Sequence, residues 1–190
     1  MRAPIVMPDP PPSDGTVVLR PWAESDLDEL LTCFEDPTIS HWLPMIPYPY
    51  TEADARAWFA TLEPRRAAGS GVGFAIAGAA DEALLGGIAL RPDDERRAEV
   101  GYWVRSERRG RGIATRALRL VSRWAFAELG FARIQLHADA ANVASQRVAE
   151  RTGYTREGVL RAWLEVQGEP RDHVLYSLLA TECRTQTFGS

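Results

Sequence analysis

Arg109-Gly110-Arg111-Gly112-Ile113-Ala114 sits between a strand-like run, Ala98 to Val104, and an amphipathic run, Gly112 to Leu129, and the reading of the fold turns on it. The second run puts Ile113, Ala117, Leu120, Val121, Trp124 and Ala125 on one face at helical spacing, and Gly130 stops it. A turn leading from strand to helix presents backbone N–H groups that no helical carbonyl can take, at the positive end of the helix dipole. Glycines there let an anion approach without meeting a Cβ. A hydrogen bond to a charged group contributes about 1.5–3 kcal/mol, so three or four convergent amides would hold a pyrophosphate firmly. Arg108, Arg109, Arg111 and Arg116 crowd the same turn, where mutual repulsion points to a bound anion. The alternatives are a neutral glycine turn and, for Arg119 and Arg123, a solvated arginine face.

Upstream, Val72 to Ala77, Ala83 to Arg91 and Ala98 to Val104 are strand candidates separated by the turn-prone Gly78 to Asp81 and Pro92 to Asp94, an antiparallel meander. Before them come a strand from Thr16 to Arg20 and a helix from Glu24 to Phe34, with Leu27, Leu30, Leu31 and Phe34 at helical spacing. His41 to Tyr50 is apolar but proline-rich and is expected as a packed irregular loop. Thr51 then caps a helix through Trp58, Phe59 and Leu62. Residues 1–15 contain Pro4, Pro8, Pro10, Pro11 and Pro12 and are expected as a flexible lead-in. Downstream, Arg133 to Ala138 alternates as a strand, Asn142 caps a helix to about Arg151, and Tyr154 to Leu179 forms two strands joined around Gly168 to Pro170. One domain over residues 16–183 with a tail at 184–190 is the expected organisation.

The chain has 190 residues, 45% hydrophobic and 25% charged, enough for one well-buried core. Its formal net charge of -4 provides no global field for nucleic acid. Cys33 and Cys183 are far apart and lack partners at metal-ligand spacing, so neither a disulfide framework nor a metal site is expected. With no long apolar run and no leader-like start, a cytoplasmic protein without a membrane partner is expected. All 22 basic residues are arginine, which excludes a Schiff-base lysine and a lysine-containing phosphate loop. A dinucleotide fingerprint needs a third glycine where Thr115 stands, and it follows the first strand of a parallel sheet rather than a meander.

What remains resembles the acetyl-CoA motif of the GNAT superfamily, [Gln/Arg]xxGx[Gly/Ala], met at each defined position by Arg109 to Ala114. The resemblance extends over roughly residues 16–180. LRPWAESDLDELL opens like the family, while AEVGYWV and ANVASQRVAERTGY resemble its RimJ/RimL-like branch, the ribosomal-protein alanine N-acetyltransferases. It implies an α/β (α+β) fold with a mixed, mostly antiparallel sheet, split near its centre and flanked by helices. It also implies an N-acetyltransferase that uses acetyl-CoA as acyl donor, without a metal. The acceptor would be a protein or peptide N-terminal α-amine, or alternatively a small amine such as an antibiotic, a polyamine or an amino acid. A non-catalytic acyl-CoA-binding module is the reading from another class. A homodimer is allowed on family grounds only.

Carried over residue by residue, the resemblance assigns Arg109, Gly110, Arg111, Gly112, Ile113, Ala114 and Thr115 to the cofactor phosphates. Trp103 and Val104 fall beside the thioester, and Asn142 beside the pantetheine or phosphate region, with plain N-capping as its other reading. Glu99, opening AEVGYWV, is the candidate base; Ser145 is the candidate hydroxyl at the sulfur. The tyrosine that many relatives place seven residues after this asparagine is Ala149 here. Tyr154 reads as a core residue, and His41, His137 and His173 as isolated structural or surface histidines. Trp42, Tyr48, Glu165, Glu169 and Asp172 are candidates for receiving a cationic amine, with packing or turn roles as the alternative.

Overall fold

In the computed structural model, residues 2–166 and 168–185 are described. Seven strands form one sheet in the order β1-β2-β3-β4-β5-β7-β6. They are β1 (Val17–Arg20), β2 (Val72–Gly78), β3 (Leu84–Pro92), β4 (Arg97–Val104), β5 (Arg133–Asp139), β6 (Thr155–Val166) and β7 (Glu169–Leu179). Every neighbouring pair is antiparallel except β4 and β5, which run parallel. A parallel pair needs a crossover, and the amphipathic helix α4 (Ile113–Glu128) provides it.

The parallel ladder is short, and that shapes the molecule. β4 and β5 pair only through Arg97↔Arg133, Ala98↔Ile134 and Glu99↔Gln135. Beyond Glu99, β4 stays on β3 as far as Val104↔Gly86, while β5 stays on β7 as far as Asp139↔His173. The sheet therefore splits between these strands just past Glu99.

Alternation along the strands sorts side chains between two cores. On one face Val17, Leu19, Val100, Ile134, Leu136, Tyr176 and Leu178 pack against Ala117, Leu118, Val121 and Trp124 of α4. On the other, α1 (Leu27–Phe34) and α3 (Glu52–Ala67) cover Ala75 and Leu84, with Trp22, Trp58, Phe59 and Trp103 packed alongside. Thr51 and Asp54 close a reciprocal capping box at the start of α3.

Several elements differ from the sequence reading. The lead-in expected to be flexible packs onto the domain: Ile5 is 2% exposed, its amide donates to the Arg66 carbonyl at 3.0 Å, and its carbonyl accepts from Arg66 Nη1 at 2.7 Å. Prolines bar a helix or a central strand but leave an extended chain free to lay one apolar side chain into a core. The helix α2 (Pro37–Trp42), which the sequence reading did not foresee, takes in His41 and Trp42 of the expected irregular loop; the Asp36 side chain caps the Thr38 amide and Pro37 suits the first turn. α5 (Val143–Arg151) follows Asn142 as expected, and a short α6 (Ala180–Thr185) that the sequence reading did not foresee follows β7. The expected tail at 184–190 therefore begins inside α6, and its residues 186–190 lie outside the described residues. No helix among the described residues is long and apolar enough to cross a membrane.

Candidate active site

The split exposes one edge of β4, and the ladder shows which amides line it. The Arg105 amide donates to the Leu85 carbonyl at 3.0 Å, and the Asp93 amide to the Arg97 carbonyl at 2.9 Å, so odd-numbered residues of β4 turn their backbone groups to β3. Even-numbered residues face the other way, as the donation from the Ala132 amide to the Arg96 carbonyl at 2.8 Å confirms. Past Glu99 the backbone groups of Val100, Tyr102 and Val104 thus face the gap. Of the two residues assigned to the thioester, Val104 has a gap-facing amide. Trp103 directs its backbone to β3 and its side chain into the aromatic cluster, 4.9 Å from Phe34 and 6.4 Å from Trp22 between ring centroids.

At the end of β4 the chain reaches the start of α4. Gly112 is the N-cap in the left-handed region (φ 77°), without a side-chain cap and without an acidic residue in the first turn. The first helical bond runs from the Arg116 amide to the Gly112 carbonyl; among the described residues no acceptor meets the amides of Gly112, Ile113, Ala114 or Thr115. Gly110 and Gly112 have nothing within 4 Å of where a Cβ would stand. This is an open donor cluster at a positive helix end, suited to phosphate.

The arginine argument from sequence is only half met. Arg109 turns away from the helix start: its guanidinium bonds Asp36 Oδ2 and Thr38 Oγ1, each at 2.8 Å, and the Val104 carbonyl at 3.0 Å. It braces α2 against the end of β4. Arg116 pairs with Asp14 Oδ2 at 2.7 Å. Arg108 and Arg111 meet no carboxylate within salt-bridge distance among the described residues and remain the guanidiniums available to an anion.

Across the gap, Asn142 Oδ1 accepts from the Ser145 amide at 3.0 Å and so performs the N-cap role, its side-chain NH2 remaining available. The Ser145 hydroxyl lies 3.0 Å from the Tyr102 hydroxyl. Tyr102 comes from β4 and reaches over the split to the first turn of α5, a contact the sequence reading missed. Burial pushes its phenol up to about 12, against the Ser145 hydrogen bond, so it is protonated and able to donate at neutral pH. Ala149 is fully buried. Tyr154 is enclosed as well, with its hydroxyl 2.9 Å from Ser122 Oγ, which agrees with the core reading.

On the opposite face of the sheet, Glu99 Oε1 accepts from Arg91 Nη2 at 2.6 Å and lies 3.4 Å from His137 Nε2. Burial pushes the Glu99 carboxyl up, but His137 and Arg91 outweigh it and hold the group below its ordinary value. His137 Nδ1 is 2.9 Å from His173 Nδ1, and Trp163 Nε1 donates to His137 Nε2 at 3.4 Å. The expectation of isolated histidines at 137 and 173 is therefore wrong. They are 36 residues apart in the chain, and only the β5–β7 register joins them. His41 does remain apart from this cluster, packed edge-on against Trp42.

Most of the expected amine-receiving groups already have local partners. Asp172 Oδ1 accepts from the Ala162 amide at 2.8 Å across a bulge in β6, Glu169 lies 3.6 Å from Arg171, and Trp42 packs on His41. Tyr48 is exposed, as is Trp163 beside the histidines. Among the described residues no group of three or more His, Cys, Asp or Glu side chains could hold a metal ion.

Comparison with known proteins bears on this arrangement. The profile of the Acetyltransferase (GNAT) domain family matches residues 16–155. The putative ribosomal N-acetyltransferase YdaF of Bacillus subtilis (strain 168) is 42% identical over 104 residues, 54% of this chain and 57% of that protein, so the match spans little more than half of the relative's length. A crystal structure of a probable acetyltransferase superposes with a TM-score of 0.80 at 31% identity, covering 88% of this chain and 94% of that one. Mycobacterium smegmatis RimJ in complex with CoA-disulfide does so with a TM-score of 0.78 at 26% identity, covering 87% and 83%.

Proposed function

Because the chain belongs to the acetyltransferase (GNAT) domain family, we propose that it transfers an acetyl group from acetyl-CoA to a primary amine, the acceptor being the N-terminal α-amine of a protein or peptide. The observation that carries this reading is the parallel ladder ending at Glu99, which leaves the Tyr102 and Val104 amides facing a gap that leads to the uncapped start of α4.

The chain's own groups divide the work. The amides of Gly112 to Thr115, with Arg108 and Arg111, receive the pyrophosphate. Gap-facing amides of β4 pair with the pantetheine arm as a missing strand would, and one of them polarises the thioester carbonyl, where negative charge develops on attack. Tyr102 and Ser145 form a hydroxyl pair that donates to the departing sulfur from the α4–α5 face. Glu99 and its neighbours stand on the other face, where the amine approaches.

The acceptor assignment follows from proton chemistry. An α-amine with pKa about 7.7–8.0 is roughly a tenth neutral at pH 7, whereas a lysine amine near 10.4 is neutral about once in a few thousand molecules. A base of modest strength is sufficient for the first. The exposed Trp163 packs on His137, which in turn adjoins Glu99, and this favours a second reading, a small polyamine cation held by a carboxylate and an aromatic ring.

Thiol release from acetyl-CoA, followed with peptides beginning in Ala or Ser and with spermidine, tests both. Faster turnover of the peptides supports the first reading, and a preference for spermidine transfers the assignment to the second. Tight CoA binding without thiol release from any acceptor identifies a non-catalytic acyl-CoA-binding module and ends both.

A further inference from the structure

Glu99 is a poor resting place for a proton in this fold. Its Oε1 is engaged by Arg91 Nη2 at 2.6 Å and stands 3.4 Å from His137 Nε2, where it steadies a cation rather than taking a proton. The imidazole next to it differs. His137 stands on β5 two residues past Gln135, the last β5 residue paired with β4, so it borders the opening of the split on the same face as Glu99. Its Nδ1 lies 2.9 Å from His173 Nδ1, and such a contact forms only when one ring carries the Nδ1 proton and the other has that nitrogen bare. With the proton on His137 Nδ1, its Nε2 is bare and turned toward Glu99 and Trp163.

Resting on the acetyltransferase reading above, we propose that His137 receives the proton given up by the acceptor amine, held between Glu99 and His173, with His173 fixing the tautomer that leaves His137 Nε2 bare. The acceptor arrives as an ammonium ion. His137 Nε2 takes one proton, and the freed lone pair forms the C–N bond to the thioester carbonyl carbon. The C–S bond then breaks with its electron pair on sulfur, the new amide nitrogen loses its second proton, and the thiolate gains one. One proton is released per turnover. It leaves from His137 Nε2 to solvent at the mouth of the split, where the side chain is partly exposed, while the Nδ1 hydrogen stays bonded to His173 Nδ1, so both rings end in their starting tautomers.

The surroundings favour this direction. His173 is 4% exposed, and burial together with His137 lowers its basicity, so the proton stays on His137 while the bare His173 Nδ1 keeps accepting; Asp139 and Asp172 act in the opposite sense on His173. The other charged groups facing the cluster are Arg91 and Asp93 beside Glu99, and Arg171 3.9 Å from Asp139. Trp163, the neighbour supplied by β6, does not titrate.

The test uses the full chain with acetyl-CoA and whichever of the Ala peptide, the Ser peptide and spermidine the native protein turns over. His137→Gln is expected to lower kcat about 10²- to 10³-fold, to erase the acid limb of the pH profile and to leave acetyl-CoA binding unchanged, with free imidazole restoring part of the rate. His173→Leu is expected to lower kcat about tenfold with the KM for acetyl-CoA unchanged, because the Nδ1 that fixes the His137 tautomer is gone. Glu99→Gln is expected to cost about tenfold and to retain the limb. Nitrogen-15 imidazole spectra of the native protein should show the neutral His137 ring protonated on Nδ1 with Nε2 bare. A His137→Gln protein within threefold of native with its limb intact, loss of the limb in Glu99→Gln alone, or a neutral His137 ring protonated on Nε2 overturns the assignment. If the native protein binds acetyl-CoA but acetylates no probe, the acetyltransferase reading itself fails and the role of His137 with it. The two failures are thus told apart by whether native turnover exists.

Discussion

Replacing Gly112 by Ala separates the anion-binding role of the α4 start from its structural role. Gly112 has φ 77°, and nothing lies within 4 Å of a Cβ built there, so the backbone penalty is the only structural cost. A non-glycine residue in the left-handed region costs about 1–2 kcal/mol, which in a chain of this size lowers the unfolding midpoint by about 2–8 °C. The methyl also takes up open space at the start of α4, from which a phosphate would approach the amides. Losing one hydrogen bond to a charged group, worth about 1.5–3 kcal/mol, weakens CoA about 10- to 150-fold. Gly130→Ala is the control, since Gly130 has φ 69° and equally open surroundings but follows the far end of α4. Calorimetric titration with CoA and acetyl-CoA, alongside thermal unfolding, reads both quantities. Similar midpoint losses with weakened binding only in Gly112→Ala support the site. CoA affinity within threefold of native in a destabilised Gly112→Ala protein would refute the placement of the phosphates on these amides.

Tyr102→Phe and Ser145→Ala should each lower kcat about tenfold with acetyl-CoA affinity retained, and the double variant should fall well short of their product because the hydroxyls act as a pair. Multiplicative losses in steady-state kinetics would show that they act separately. Ile5→Ala should destabilise by about 2–5 kcal/mol in denaturant unfolding, since the side chain is 2% exposed within the main core; a change under about 0.5 kcal/mol would mean that the lead-in is dispensable. Glu157 is held at about 2, below its ordinary 4.5, chiefly by its hydrogen bonds from Arg133 and Ser177, with burial opposing. Its folded pKa is depressed, so its contribution is present above 4.5 and is lost as pH falls toward about 2. The stability gap between native and Glu157→Gln, followed by thermal unfolding, should close over that window, and a gap independent of pH would contradict the assignment.

Much of the fold was legible before any coordinates because local chemistry dictates it. The alternation of AEVGYWV, the apolar stripe from Ile113 to Ala125, Thr51 and Asn142 as caps, and Gly112 before α4 each reflect preferences acting within a few residues. α2 was not foreseen because its start signals, the Asp36 cap and Pro37 in the first turn, precede the proline-rich run His41 to Tyr50, of which only His41 and Trp42 are helical. The lead-in was misread because proline excludes regular structure without excluding burial, as Ile5 shows.

The sequence by itself determined which residues make strands and helices and that a glycine turn opens α4, since those depend on periodicity, capping and backbone freedom. Tertiary structure alone decided where the sheet splits, because that depends on β4 and β5 following different partners beyond Glu99. It alone turned Arg109 toward Asp36, brought Tyr102 across to Ser145, and joined His137 to His173 and Glu99. These contacts span 36 to 73 positions of chain, and strand register and the pairing of opposite charges, neither of which leaves a local pattern, set them.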